Sequence, residues 1–274
     1  MTFLLVFRQS YHCSVKTKKS PRLRRPSSLS AARAGIISCE RCPRLRSYCR
    51  TVAAEKRAAY RDWEYWGKPV PGFGDPEARI LILGLAPAAH GANRTGRVFT
   101  GDGVGGSGDF LMAALYRAGL ANRATSDHAA DGLALREVYV AAAVRCAPPD
   151  NKPTPDEVTT CLDHLESELA HLPRLDTVVA LGKIAWDAWL QLLGRHRPLP
   201  RPRPVFGHGA AIPWPGVTPS ADRTALPVAP HTLIGCYHPS RQNTNTGVVT
   251  AAMYDDIFQR AVHGQAPTIH RSLA

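Results

Sequence analysis

The sequence predicts an α/β protein, three-layered α/β/α, built on a central and mostly parallel four-stranded sheet. Three observations carry this. Four short apolar runs recur along the chain, at 79–84, 137–144, 177–181 and within 231–237. Stretches with helical apolar spacing follow them, at 109–120, 155–171, 183–193 and 246–262. The links between them are short, and alternation of this kind makes a parallel sheet covered on both faces.

Each element has its own reason. Arg79–Gly84 reads RILILG, a continuous apolar run closed by glycine, as expected of a strand buried on both faces. Asp109–Leu120 keeps helical spacing and meets Gly119. Glu137–Val144 is a second buried strand. Thr154 is a good N-cap, with Pro155 at the first helical position, for a helix over 155–171. Thr177–Leu181 (TVVAL) is a third strand, followed by a helix from Lys183 to Leu193. His231–Tyr237 contains the fourth strand, and Thr246–Val262 reads as the closing helix. Pro198–Pro230 holds nine prolines and no period. It reads as an ordered surface excursion from a single domain spanning 36–274, not as a second domain. No internal repeat is visible.

Composition narrows the function. The chain has 274 residues, 44% of them hydrophobic, enough for a real core. Lys and Arg number 34 against 22 Asp and Glu, a net charge of +12. This excludes an acidic solvating chain and points to a polyanionic partner. No apolar run approaches the roughly 18 residues of a membrane helix. Phe3–Phe7 is too short for a signal-peptide core and has no basic region before it. No acidic residue precedes Glu40, whereas eight basic residues do, which leaves +4 for the rest. Residues 1–35 therefore read as a disordered basic arm. The same composition fits an organelle transit peptide, or a leader from a mis-assigned start codon. Seven cysteines, an odd number, fit metal or cluster ligands in a reducing cytoplasm better than a disulfide framework.

Ligands of such sheets bind beyond the C-terminal ends of the strands, so the chemistry belongs at 84–108, 145–152, 182–183 and 238–247. Gly101–Gly106 matches G-x-G-x-x-G, but the preceding strand ends far upstream and no G-K-[ST] follows. Dinucleotide and P-loop readings both fail. What remains is a flexible loop holding one carboxylate, Asp102, whose bland alternative is a turn or N-cap residue. Cys39 and Cys42 form a C-x2-C knuckle, Cys146 follows a strand, and Cys161 lies in a helix. Together they make a four-thiolate cage possible, suited to zinc or an iron–sulfur cluster. On the alternative reading Cys146 and Cys161 are small core residues. Cys49 is a rival ligand, and Cys236 belongs to a buried strand.

Three segments together resemble the uracil-DNA glycosylase superfamily. Gly84–Asp102 (GLAPAAHGANRTGRVFTGD) resembles the first motif of its family 5 branch, the UDGb type. Arg145–Pro153 (RCAPPDNKP) resembles the middle motif, and His238–Gly247 (HPSRQNTNTG) the last. The resemblance covers about residues 36–263 and leaves out the basic arm. It implies an enzyme that flips uracil and other deaminated or damaged bases out of duplex DNA and hydrolyses the N-glycosidic bond. It places Cys39, Cys42, Cys146 and Cys161 around a [4Fe–4S] cluster, with zinc as the alternative. Its catalytic residues fall on Asp102 and His238. Gly84, Ala86, Pro87, Phe99 and Asn151 form the base pocket. His90, Asn93, Arg97, Ser240, Arg241, Gln242 and Asn243 face DNA. The expected partner is double-stranded DNA carrying uracil or other deaminated bases, met by a monomer on the bacterial nucleoid and not at a membrane.

Departures from the wider superfamily shape the mechanism. Ala86-Pro87-Ala88 stands where other branches carry a polar residue, so Asp102 is the nearest group to activate water. Ala141–Ala143 stands where a base-reading Asn is found elsewhere. Asn151 is a possible substitute, or a helix-capping residue. Relaxed base selection is expected. His238 has a bland reading as a turn residue, and Ser240 suits backbone or phosphate bonding better than nucleophilic attack. Two other functions compete. An iron–sulfur redox protein would need a second cofactor fingerprint, which is missing. A non-catalytic nucleic-acid-binding module would not need Asp102 and His238 at facing strand ends.

Overall fold

In the computed structural model, residues 26–101, 103, 105–213 and 231–263 are described. Their centre is a six-stranded sheet. Its strands are β1 (Phe73–Gly74), β2 (Ile80–Gly84), β3 (Val138–Ala142), β4 (Thr177–Leu181), β5 (Ala211–Pro213) and β6 (Thr232–Cys236). The spatial order is β1-β3-β2-β4-β6-β5. The inner four run parallel, in register from Ile80 opposite Val138 to Leu181 opposite Cys236. These are the four expected strands. The expected count of four is corrected to six, because β1 and β5 add short antiparallel edges of two and three residues.

Both faces of the parallel core are buried, which is why the strands read as unbroken apolar runs. Successive residues alternate between two cores. Leu81, Leu83, Val178 and Ala180 pack with α5 (Pro155–Leu169) and α6 (Lys183–Gly194), whose Trp186 and Trp189 are fully buried. Ile80, Ile82, Val179 and Ile234 face α4 (Ser107–Arg117) and α8 (Ala251–His263). Each fully buried large apolar side chain contributes about 1.5–3 kcal/mol. α5 starts where the sequence placed it: Thr154 and Glu157 close a reciprocal capping box behind Pro155.

The N-terminal segment corrects one boundary. Residues 29–35, assigned to the arm, belong to α1 (Leu29–Ile37), which is capped by Ser28 and packs on α5. Residues 1–25, with most of the arm's charge, lie outside the described residues, as do 214–230 of the proline-rich excursion. The part of the excursion that is described returns to the sheet as β5. α2 (Pro43–Glu55) begins on Cys42 and is followed by α3 (Ala92–Thr95) beneath it, and α7 (Arg241–Asn245) precedes α8. Among the described residues no helix is long and apolar enough to cross a membrane.

Candidate active site

Sequence-adjacent strands β2 and β3 lie on one side, and β4 lies on the other side of β2. The order of the parallel core therefore switches at β2 and β4, and a cleft at the strand C-termini opens there. It has a volume of about 440 Å³. Gly84 and Ala86 form its floor, Phe99, Asn151 and His238 its sides, and Arg241 its rim. Pro87 is corrected: it is buried and is not among the residues that line the cavity. Leu85, Val98 and Ser107 also line it without having been assigned to the pocket, as small or apolar positions with no signal of their own; Ala88, Ala142 and Gly106 line it too and lie in stretches singled out in the sequence for other reasons.

Phe99 is held in an uncommon way. Its φ is +51°, a left-handed conformation that costs a non-glycine residue energy unless its surroundings fix it. They do. Arg97 donates to both carboxylate oxygens of Asp131, at 2.6 and 3.0 Å, and to the hydroxyls of Thr100 and Ser126. Thr100 and Ser126 are themselves 2.6 Å apart, and the Gly101 N–H donates to the Ser126 carbonyl. Asp109 in α4 accepts the Ser126 N–H and ties the same loop to a helix. The Phe99 ring then lies over Gly84, where a β-carbon would come within 2.9 Å of it. Phe99 is therefore fixed as one wall, and glycine is required at the strand end.

His238 lines the cavity beside Phe99. It follows β6, and its ring centre stands 5.9 Å from that of Phe99 at an angle of 31°. Burial lowers its pKa to about 4, so the imidazole is neutral at physiological pH. Asn243 donates from its side-chain nitrogen to the His238 carbonyl at 2.8 Å, and Ser240 caps α7 by accepting the Asn243 N–H. These two residues shape the loop from within. Asp102 lies outside the described residues; its described neighbours Gly101 and Gly103 belong to the loop leading into α4. Asn151 stands at the cavity mouth with φ +56°, and the Thr154–Glu157 box relieves it of any capping duty.

Cys39, Cys42, Cys146 and Cys161 line one small, almost closed cavity on the far side of the sheet's C-terminal edge. The knuckle reaches it through two ion pairs: Arg41 to Asp163 at 2.8 Å, and Arg44 to Glu157 at 2.7 Å. The Arg145 N–H donates to the Cys161 sulfur at 3.2 Å. Burial pushes Cys161 up to about 12 and raises Cys42 as well. Around the same cavity, Nε of Arg41, Nε and Nη1 of Arg145 and Nε2 of His164 have no hydrogen-bond partner among the described residues. Cys49 sits one layer out, its thiol against that of Cys146. Four thiols and several idle donors around one cavity make a donor set suited to an anionic cluster. Among the described residues no group of three or more His, Cys, Asp or Glu is arranged to hold a metal ion as the side chains stand.

Residues 71–262, which include every element of the sheet, match the model of the uracil DNA glycosylase superfamily. The chain belongs to the uracil-DNA glycosylase superfamily. Within it, type-5 uracil-DNA glycosylases are similar. The Mycobacterium bovis protein is 48% identical over 85% of this chain and 81% of its own length. The Thermus thermophilus protein is 47% identical over 82% and 93%, and that of Pyrobaculum aerophilum 44% over 82% and 88%. A type-4 uracil-DNA glycosylase of Pyrobaculum aerophilum is 33% identical over 58% of this chain.

Arg241 and Gln242 are exposed beside the cleft, and Ser240 lines it. His90 lies along an adjoining groove, with its Nδ1 3.1 Å from the Tyr65 hydroxyl. Asn93 and Arg97 are corrections. Asn93 is fully buried and donates to the carbonyls of Cys49 and Ala89. Arg97 is consumed by Asp131, Thr100 and Ser126. Neither faces DNA: one fixes α3 to α2, the other fixes the Phe99 loop. Sequence alone cannot separate a buried arginine from one that meets phosphate.

Proposed function

We propose that this glycosylase removes uracil and other deaminated bases from double-stranded DNA by hydrolysing the N-glycosidic bond. The observation that carries the reading is the cleft lined by Phe99 and His238: an aromatic ring and a neutral imidazole stand side by side on a cavity of about 440 Å³, within the range of small-molecule sites. Cleavage builds positive charge on the sugar and negative charge on the departing base. We assign Asp102 to the water and to the sugar cation. His238, neutral, donates a hydrogen bond to the base oxygen as charge grows there, with no full proton transfer. Arg241 and Gln242 enter the gap left by the extruded base. Among the described residues Asn151 is the one side-chain amide lining the cavity, and Ala142 offers no side-chain reader, which supports relaxed base selection.

A [4Fe–4S] cluster on Cys39, Cys42, Cys146 and Cys161 is part of the proposal. When bound, it would supply cross-links between the knuckle, the end of β3 and α5; base hydrolysis needs no electron transfer. The protein is proposed to act as a monomer on the bacterial nucleoid, with residues 36–274 as one domain. A panel of duplexes, each with one altered base in the same sequence, tests the reading. Release of uracil together with a purine lesion such as hypoxanthine supports it. Strict uracil specificity contradicts the relaxed pocket, and no base release at all contradicts the function.

A further inference from the structure

A second groove of about 380 Å³ runs on from the base cleft, which it meets at Ala88, Asn151 and Arg241. Tyr48, Arg57, Tyr60 and His90 form its walls, and Gly91 and Gly101 lie on its floor. Under that floor is Arg94, a residue only 3% exposed. Its guanidinium stacks on Tyr60 at 3.9 Å and on Trp63 at 4.1 Å. Its Nε donates to the His90 carbonyl and its Nη2 to the Gly101 carbonyl, at 2.8 and 2.6 Å. Its Nη1 has no acceptor among the described residues. Burial, with the nearby charges of Arg57 and Arg94, holds the His90 pKa below its ordinary value, so the two arginines supply the positive charge of this wall. Among the described residues Asp150 is the single carboxylate of the lining.

Such a groove suits a phosphate. The Tyr60 and Trp63 rings, set edge to face, hold Arg94 in place without neutralising it, Arg57 is exposed, and the tyrosine hydroxyls can donate. We propose that this groove receives a phosphodiester of the damaged strand flanking the extruded nucleotide, bound by Arg57 with the field of Arg94 behind it. The inference rests on the glycosylase reading, since continuity with the base cleft is what sets the strand in the groove. It makes the 57–66 segment part of the DNA interface, although no sequence motif marks it.

The test is a double-mutant cycle between protein and DNA. Duplexes carry a 2′-fluoro-2′-deoxyuridine, which resists hydrolysis, and a neutral methylphosphonate at one flanking phosphate at a time. Binding is measured by fluorescence anisotropy for wild type, Arg57→Gln and Arg57→Lys. At one flanking position the neutral phosphate should cost wild type roughly tenfold and Arg57→Gln under twofold, a loss in the range of one charge-assisted contact. Arg57→Gln should also reduce the salt slope by about 0.9, as for one released counterion. Arg57→Lys should keep most of both effects. Equal penalties for wild type and Arg57→Gln at every phosphate would overturn the proposal. Uracil release from an ordinary duplex by wild type is the control: its absence sinks the glycosylase reading, whereas release with a flat cycle sinks only the groove.

Discussion

The ring of Phe99 lies directly on the backbone of Gly84, so closely that a β-carbon on Gly84 would stand 2.9 Å from it. Strand end and aromatic wall therefore fit only as a pair. Gly84→Ala must displace the ring, because the Phe99 backbone is pinned from the other side by Arg97, Thr100 and Ser126. We expect uracil excision to fall at least tenfold, with the melting temperature changed by a few degrees at most. Single-turnover kinetics beside thermal unfolding measure both. An unchanged rate would mean that Phe99 does not shape the base site.

Arg97 and Asp131 should behave as the fastening of that loop. Burial works against a charged Asp131, yet the Arg97 guanidinium and the Leu133 and Asp127 N–H groups hold its carboxyl well below the usual carboxylate range. A group depressed in the folded state contributes stability above its unfolded pKa, near 3.9, and that contribution is lost as pH falls below it. Asp131→Asn leaves a buried guanidinium without its counter-charge, a change that typically costs about 3–5 kcal/mol. Chemical denaturation at pH 7 should show a loss of that order. At pH 3 the gap between wild type and variant should shrink.

His238 gives a second pH signature. Its folded pKa, near 4, lies below the ordinary histidine value, so the ring is neutral from about pH 5 upward. The excision rate should therefore show no inflection near 6.5 that belongs to His238. The stability linked to this ring is complete above about 6.5 and declines as pH falls from there towards 4. His238→Ala should slow the chemical step, and a better leaving group, 5-fluorouracil, should restore the rate more than it does for an Asp102 variant. A pH–rate step at 6.5 that vanishes in His238→Ala would show that the imidazole works as a proton donor instead.

The four-cysteine cavity predicts a linked loss. Cys146→Ser should lower bound iron and the yield of soluble protein together, because it removes the proposed ligand that follows β3. Cys49→Ser should keep the iron, since Cys49 touches Cys146 without lining the cavity. Metal analysis and visible absorbance of both variants decide this. Full iron in Cys146→Ser, or its loss only in Cys49→Ser, would move the site to the rival thiol.

The parallel core was legible because each strand buries both faces and so reads as an unbroken apolar run, and α5 because its capping residues are local. β1 and β5 were not, since two or three residues carry no period. α1 looked like arm because Arg33 continues the basic run while only Ala32 and Ile36 are buried. The motifs named the walls of the cleft but not their support. Phe99 stands out in sequence, whereas Asp131 and Ser126, which hold its loop, lie about thirty residues away in a stretch without motif. Asn93 and Arg97 show the converse: polar residues inside a motif that serve the fold.

The central claim is that Asp102 delivers water to the glycosidic carbon while His238 stabilises the departing base. Single-turnover release of uracil from a labelled duplex, for wild type and Asp102→Asn with enzyme in saturating excess, tests it most directly. General-base help is worth about 10²–10⁴-fold. The account predicts a fall of that order, with DNA affinity unchanged or slightly improved because a negative charge facing DNA is removed. Near wild-type cleavage by Asp102→Asn would contradict it and return Asp102 to the role of a loop residue.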